Sequence, residues 1–215
     1  MIPKWLASHA NENDLIEIEK AVGLAESRTA GEIVPMIVRE SSFSGHVPVI
    51  VALLWFSLFM IVLPVVSARL PGPGWAWDFL AAILSVVLGW LLSRVSAVRR
   101  ALTATIDQAQ SVFHRAQLEF HETGIPMTTG KTGILIFVSL QERRAVILGD
   151  RAISEHIKPE AWVEIVNHLL ENCRDGKMRE GFMIAIAKVG EILAREFPIQ
   201  PDDVNELSNA LIIKD

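Results

Sequence analysis

The stretch Gly133-Ile-Leu-Ile-Phe-Val-Ser139 contains five consecutive apolar residues and no charge. A short apolar run rich in β-branched and aromatic residues is typical of a strand that is buried on both faces. A second run, Arg144-Ala-Val-Ile-Leu148, follows after Gln141-Glu142. The two runs predict a β-hairpin with a tight turn, around which the rest of the domain is organised.

Helical and strand patterns alternate on both sides of this hairpin. Glu32-Ile-Val-Pro-Met-Ile-Val38 predicts another buried strand, in which Pro35 indicates a bulge or an edge position. Apolar residues at helical spacing predict a helix from about residue 12 to Ser27, preceded by the capping candidates Asn11 and Asn13. Further amphipathic helices are predicted at residues 98–124, 159–176 and 181–197. The alternation favours an α/β fold with a small mixed sheet.

Two apolar runs interrupt this pattern. Residues 47–68 carry no charge, and as a helix they are long enough to cross the roughly 30 Å hydrocarbon core of a bilayer. The second run, residues 79–93, is shorter. It reaches the same length if Trp75, Trp77 and Asp78 lie at the headgroups and the helix continues through Val95 to Val98. The sequence therefore predicts a two-helix transmembrane hairpin, and whether its second helix runs unbroken into the next one is open.

Length and charge limit the remaining possibilities. Of the 215 residues, the hairpin takes about 50, which leaves enough for one soluble domain. We expect its first part at residues 1–45, the hairpin at 46–98, its second part at 99–200 and an acidic tail at 201–215. The net charge of −5 argues against nucleic acid as a partner. The single cysteine, Cys173, excludes an internal disulfide.

The distribution of charge predicts the topology. The first residues contain Lys4 and no apolar core, so no signal peptide is expected. Basic residues flank the two runs on their outer sides, whereas the loop between them has only Arg69; they are Lys4, Lys20, Arg28 and Arg39 before the first run and Arg94, Arg99 and Arg100 after the second. By the positive-inside rule, the protein is expected in the inner membrane with two spans and both termini in the cytoplasm.

Several segments resemble one known family. They are Thr29-Ala-Gly-Glu-Ile-Val34, Thr132-Gly-Ile-Leu-Ile-Phe-Val-Ser-Leu140 with Glu142-Arg143-Arg144, Ile147-Leu-Gly-Asp-Arg-Ala-Ile153, and the helix from Gly181 to Phe197. Together they resemble the TPM-domain family, which includes plant thylakoid-lumen proteins linked to photosystem II repair and bacterial membrane-anchored proteins. The resemblance implies a Rossmann-like sandwich, with weak acid-phosphatase activity or calcium binding in some members. The chain looks most like a bacterial branch in which a transmembrane hairpin follows the first strand.

Connectivity gives the predicted sheet two distinct ends. The first strand leads into the membrane, and the strand at Ile134 returns parallel to it in a right-handed crossover. The end proximal to the membrane has Arg39, Glu40, Gln141, Glu142, Arg143 and Arg144; the distal end has Glu32, Lys131, Thr132, Asp150 and Arg151. Open α/β sheets bind ligands at the carboxyl ends of parallel strands, which favours the proximal end. The family-like Gly149-Asp150-Arg151 segment favours the distal end.

Glu32 and Asp150, with Arg151 beside them, are the preferred candidate ligand-binding residues. Two carboxylates within a few ångströms of each other would form a cation site, for calcium or magnesium, or a general acid with its base. The alternative is structural. In that case Asp150 caps a turn or a helix, and Glu32 is a solvated charge at a strand end.

Other candidate sites are weaker. His114 and His121 lie on one helix face with Asp107, but seven residues separate the two histidines by about 10 Å, too far to share one metal ion. Ser139, Arg143 and His156 lack the glycine-flanked turn of a serine nucleophile. The arginines near the membrane, including Arg143 and Arg144, have the charge to contact anionic headgroups.

Two functional hypotheses follow. Because no complete catalytic set is recognisable, the first is a non-catalytic interaction module, tethered to the lipid bilayer, that binds a protein partner in the membrane or the cytoplasm. The second is a weak phosphate-monoester hydrolase or divalent-cation-binding domain that uses Asp150 and Glu32. The sequence assigns no firm cofactor.

Overall fold

The computed structural model describes residues 2–42, 47–67, 73–95, 97–98, 101, 105–200 and 203–215. In chain order the helices are α1 (Glu12–Glu26), α2 (Val47–Ser67), α3 (Gly74–Leu92), α4 (Thr105–Glu122), α5 (Arg151–His156), α6 (Val163–Arg174) and α7 (Met178–Glu196). The strands are β1 (Glu32–Val38), β2 (Gly133–Ser139), β3 (Arg144–Gly149) and β4 (Ile212–Lys214), and 3₁₀ turns occur at Ile125–Met127 and Pro159–Trp162. Contacts group the chain into two units, Met1–Ser41 with Ala109–Asp215, and Ser42–Gln108.

The four strands of the first unit form one mixed sheet in the order β3-β2-β1-β4. β1 and β2 are parallel, with Glu32 opposite Gly133 and Val38 opposite Ser139. β3 is antiparallel to β2, as the hairpin prediction requires. The predicted α/β class, with helices packed on a small mixed sheet, is therefore confirmed.

Both faces of the sheet are covered, which explains the unbroken apolar runs in β1 and β2. Ile33 and Ile37 of β1 belong to a cluster with buried residues of α1, α6 and α7. Val34, Met36 and Phe137 belong to a second cluster with α4 on the opposite face. The sheet is thus the middle layer of a sandwich, and Phe137 is fully buried within it.

The predicted ends of the helices agree with their capping chemistry. Asn11 accepts the backbone N–H of Asp14, and the Asp14 carboxylate accepts that of Asn11, which closes a capping box at the start of α1. Pro159 opens a 3₁₀ turn that leads into α6. Gly176 adopts φ +73° just beyond α6, a conformation that suits glycine.

Two elements were not predicted. Residues 151–156 form the short helix α5, and the acidic tail, for which no strand was predicted, contributes β4, which pairs with β1 at residues 36–38. β4 is only three residues long, so its apolar pattern is too short to identify a strand. Pro35 lies immediately before this pairing and therefore at an open edge of β1 among the described residues, as its edge prediction requires.

In the second unit, α2 and α3 pack against each other in antiparallel directions. A Cβ placed on Gly89 near the end of α3 would lie 2.7 Å from the carbonyl oxygen of Pro48 at the start of α2. Among the described residues, one helix, Gly74–Leu92, is long and apolar enough to cross a membrane, and the part of α2 at Pro48–Leu63 is a shorter apolar helical stretch.

The expected extension of the second helix through Val95 is wrong. α3 begins earlier, at Gly74, and ends at Leu92. The Ser93 hydroxyl donates to the carbonyl of Trp90 (2.8 Å), and the guanidinium of Arg94 lies 3.7 Å from the centre of the Trp90 ring. Backbone bonds of Arg94 and Val95 to carbonyls three residues back tighten the chain into a turn. Arg69, Arg99 and Arg100 lie outside the described residues.

Candidate functional site

Glu32 lies at the first position of β1 and is only 6% exposed, so it is not a solvated strand-end charge. Its carboxylate accepts the backbone N–H groups of Glu206 (3.0 Å) and Leu207 (3.3 Å). Burial raises the pKa of Glu32, and the nearby charges of Glu206 and Asp203 add to this, while the two N–H donors oppose it. Glu32 therefore holds the segment that leads to β4.

Asp150 follows β3 and caps α5. Its backbone N–H donates to the carbonyl of Gly133 (2.8 Å), and its Oδ1 accepts the N–H of Arg151 (2.6 Å). Its second oxygen, Oδ2, is buried and has no hydrogen-bond partner in the described part of the chain. The Arg151 side chain is 82% exposed and pairs with Glu155 (2.8 Å). Arg151 therefore does not bridge Asp150 to Glu32.

The structure places Glu32 and Asp150 at the same end of the sheet, one on each side of Gly133. Glu32 is opposite Gly133 in the β1–β2 register, and Asp150 bonds to Gly133 from the other side. Two strand spacings put their Cα atoms about 10 Å apart. A Cβ placed on Gly133 would lie 2.5 Å from Cγ2 of Ile125. The apolar side chain of Ile125 therefore covers Gly133, the residue that lies between Glu32 and Asp150.

The carboxylate neighbour of Glu32 is Glu26, which the sequence analysis did not identify. Glu26 lies at the end of α1, and its Oε1 accepts the N–H of Ile33 (2.8 Å), while its Oε2 is buried without a partner in the described part. Burial raises the pKa of Glu26 to about 7; the charges of Glu32 and Asp203 also raise it, and the Ile33 bond opposes them. The connection between Glu26 at the end of α1 and Glu32 at the start of β1 is short, and this was the feature of the sequence from which their proximity could have been predicted.

The segment that covers these carboxylates is anchored at a second point. The Glu206 carboxylate accepts both the backbone N–H (2.9 Å) and the hydroxyl (3.1 Å) of Thr129. Four acidic residues thus gather at one end of the sheet, Glu26, Glu32, Asp203 and Glu206. Across the residues described, no group of three His, Cys, Asp or Glu side chains is arranged to hold a metal ion.

The proposed combination of Ser139, Arg143 and His156 is not assembled. Ser139 is fully buried and donates its hydroxyl to the carboxylate of Glu142. The His156 ring instead packs edge-on against Phe197, with ring centres 5.5 Å apart.

A groove of about 490 Å³ runs along the outer edge of β3. One wall comes from Phe113 of α4, and the other from Trp162 and Val163 before and within α6. The remaining lining residues are Ala145, Val146, Ile147, Leu148, Gly149, Ile153, Ser154, Ile157, Pro159, Val166 and Asn167, so no charged residue lines it.

The backbone at the floor of this groove is an open strand edge. In an antiparallel pair, alternate residues direct their backbone N–H and C=O groups towards the neighbouring strand. The bond from Asp150 N–H to the carbonyl of Gly133 shows which residues of β3 do so, and they include Val146 and Leu148. The backbone groups of Ala145, Ile147 and Gly149 therefore point outward, away from β2. The Gly149 carbonyl accepts the Ser154 hydroxyl (2.9 Å). No described strand pairs with the outer side of β3.

Comparison with known proteins agrees with this architecture. Residues 94–192 match the family model of the TPM domain, which confirms the resemblance found in the sequence. The fold is similar to the NMR structure of BA42 protein from the psychrophilic bacterium Bizionia argentinensis, with 20% sequence identity, coverage of 94% of each chain and a TM-score of 0.59. None of the curated proteins matches the chain.

Proposed function

Residues 94–192 match the family model of the TPM domain. We propose that the chain is a member of this family and a non-catalytic interaction module tethered to the cytoplasmic face of the inner membrane. The groove along β3 is the observation that carries this proposal. Its uncharged lining and outward backbone groups suit an extended apolar segment of a protein partner. Such a segment would add a strand to the sheet, with backbone bonds supplying affinity and the walls selecting side chains.

The walls of the groove are themselves exposed apolar surface. Val163 is 56% exposed and Phe113 is 43% exposed, on opposite sides of β3. The edge also lacks the devices that usually block strand addition, because no lysine or proline interrupts residues 145–149. An added strand would remove both the apolar walls and the edge from water.

We propose that α2 and α3 form the tether, as two spans with both termini in the cytoplasm, and the apolar length of α3 supports a membrane helix there. Their outward side chains are large and apolar, for example Ile61 (74% exposed) and Trp75 (71% exposed). Their contact uses small residues, since Ala81, Ser85 and Gly89 of α3 are buried at intervals of four. Close packing of this kind is common between helices in lipid, which offers no hydrophobic force to drive helix association.

Site-specific photo-crosslinking in the membrane-embedded full chain tests the groove. A photoreactive residue at Val163 is expected to capture a discrete partner, whereas one at Val204, which is 71% exposed but does not line the groove, is not. Ala145→Pro removes an outward N–H without touching the bonds to β2, so it is expected to abolish the product, and Ala145→Ser is expected to keep it. No product at Val163, or one that Ala145→Pro leaves unchanged, contradicts the proposal.

One observation favours a second candidate, a weak phosphate-monoester hydrolase or a divalent-cation-binding domain. Oδ2 of Asp150 is buried and unpartnered among the described residues, so this oxygen is available to a cation or a proton. The test is a phosphate-ester assay on the detergent-purified protein, with and without calcium or magnesium, for the wild type and Asp150→Ala. Turnover that Asp150→Ala abolishes would replace the non-catalytic proposal.

A further inference from the structure

A small polar cavity of about 130 Å³ lies at the carboxyl end of β2. Its polar lining consists of His9, Ser139, Arg143 and Arg174, and its apolar lining of Val138, Leu140, Leu170 and Cys173. The residues that line it thus include two arginines and a histidine, all three exposed, and no carboxylate. Its lining shares no residue with the groove along β3.

The two guanidinium groups have no partner within the described part of the chain, since neither Arg143 nor Arg174 makes a side-chain hydrogen bond or ion pair there. Other arginines do have partners: Arg115, Arg151, Arg179 and Arg195 each pair with a carboxylate. His9 shares Nδ1 with the hydroxyl of Ser8 (2.9 Å), which leaves Nε2 for a ligand.

Negative groups near the cavity are already engaged. The Glu142 carboxylate accepts the Ser139 hydroxyl and the backbone N–H of Ser41 (3.1 Å), and it does not line the cavity. The carbonyls at the end of α6 are also satisfied, since those of Glu171, Asn172 and Cys173 accept the three N–H groups that follow the helix, of Asp175, Gly176 and Lys177. The lining therefore presents donors and positive charge.

The backbone at Arg143 is a second indication. Arg143 adopts φ +54°, the left-handed region in which side chains other than glycine and asparagine are strained. Glycine would form this turn between β2 and β3 at lower cost. Non-glycine residues held in such conformations concentrate at ligand sites, and here the residue in that conformation lines the cavity.

We infer that this cavity, lined by His9, Arg143 and Arg174, binds the phosphate group of a small ligand without hydrolysing it. Two unpaired guanidinium forks supply the bidentate donors that phosphate oxygens prefer, together with charge to balance a dianion. The volume is that of about four water molecules, which admits a phosphate group and little more. The phosphate can belong to a free anion or to a lipid headgroup.

The lining has no available thiolate or alkoxide and no carboxyl group to protonate a leaving group, which is why binding is inferred without turnover. Burial raises the pKa of Cys173 to about 11, so its sulfur is a neutral thiol at physiological pH. Ser139 is fully buried, and its proton is committed to Glu142.

The test titrates the full chain in detergent with inorganic phosphate in one arm and with a short-chain phosphatidylglycerol below its micelle concentration in the other, at constant ionic strength. Saturable binding in the first arm identifies a free phosphate site, and binding in the second arm alone identifies a headgroup site. Arg143→Gln and Arg174→Gln are each expected to weaken binding at least tenfold. Arg195→Gln, at an arginine paired with Glu196, is expected to leave it unchanged.

A glycine pair separates binding from folding. Arg143→Gly and Lys131→Gly both relieve a residue at φ +54°, so both are expected to raise the unfolding temperature. Only Arg143→Gly is expected to lose phosphate binding. Absence of saturable binding in both arms, or binding that survives in both Arg143→Gln and Arg174→Gln, overturns the inference, as does an equal loss in Lys131→Gly. If Arg143→Gln, Arg174→Gln and the control Arg195→Gln all weaken binding to the same extent, the conclusion is an adventitious ion only.

Discussion

Lys214 Nζ donates to the carboxylate of Glu119, and this bond joins strand β4 to helix α4. Glu119 is 1% exposed and also accepts Nε of Arg115 (2.8 Å). Lys214 reaches Glu122 as well (3.1 Å), and these carboxylates raise the pKa of its ammonium group. A buried carboxylate is costly unless it is paired. This network therefore fixes strand β4 to helix α4.

Removing one partner of the pair should leave Glu119 partly uncompensated. Lys214→Ala is expected to lower the free energy of unfolding by about 3 kcal/mol, the low end for a broken buried pair because Arg115 remains. Urea denaturation, monitored by circular dichroism, measures this change in the free energy of unfolding. Lys188→Ala is the control, because Lys188 pairs with Glu164 at the surface and should cost less than about 1 kcal/mol. Equal losses in the two variants would mean that the Glu119 contact contributes nothing special.

The raised pKa of Glu26, about 7 against an ordinary 4.5, predicts a pH dependence. The folded state binds this proton more tightly than the unfolded state, so the contribution of Glu26 to stability is full below pH 4.5, is lost as pH rises from 4.5 through 7, and is absent above that. Because the carboxyl is only partly buried, we expect a loss of about 1 to 2 kcal/mol. Glu26→Gln should remove this slope and stabilise the protein at pH 8, as measured by urea denaturation at several pH values. An unchanged slope in Glu26→Gln would assign the pH dependence to other groups.

The centre of the sheet should tolerate little truncation. Phe137 is 0% exposed in β2, so Phe137→Ala is expected to cost about 3 to 5 kcal/mol of unfolding free energy. Met127→Ala, at a side chain that is 83% exposed, serves as the comparison and should change it by less than about 0.5 kcal/mol. A loss below 1 kcal/mol for Phe137→Ala would be incompatible with its central position.

The proposed topology makes a prediction about reporter fusions. Alkaline phosphatase, which is active only outside the cytoplasm, should be silent when fused after Asp215 and active when inserted near Gly72. A cytoplasmic reporter such as green fluorescent protein should give the reverse pattern at the same two sites. Activity of the phosphatase after Asp215 would place the TPM domain on the opposite side of the membrane.

Strands β1 and β2 could be predicted to the residue because tertiary burial reinforces their local preference. Glu32-to-Val38 and Gly133-to-Ser139 are apolar, β-branched runs, and both faces of each are covered in the fold. β4 differs, since its strand character comes from pairing with Met36 and from the Lys214–Glu119 bond. Neither contact leaves a trace in the local sequence around Ile212.

The candidate site was predictable only in part, for a related reason. Glu32 and Asp150 were predicted from the sequence and do lie at one end of the sheet, yet their contacts are with backbone N–H groups. Which carboxylate approaches Glu32 depends on the packing of α1 and of the segment around Glu206. Glu26 lies at the end of the amphipathic helix α1, where an isolated charge normally indicates solvent exposure.

The order of the strands along the chain has a consequence for biosynthesis. β1 emerges from the ribosome first, but both of its neighbours in the sheet, β2 and β4, are translated only after α2, α3 and α4. The apolar strand β1 therefore remains unpaired, with its hydrogen-bonding edges open, until the intervening helices have been synthesised. Long-range parallel pairing is intrinsically slow, and exposed strands aggregate. Nascent chains stalled before Ile212 should thus depend strongly on chaperones, and folding of the sheet should be the last event in the maturation of this protein.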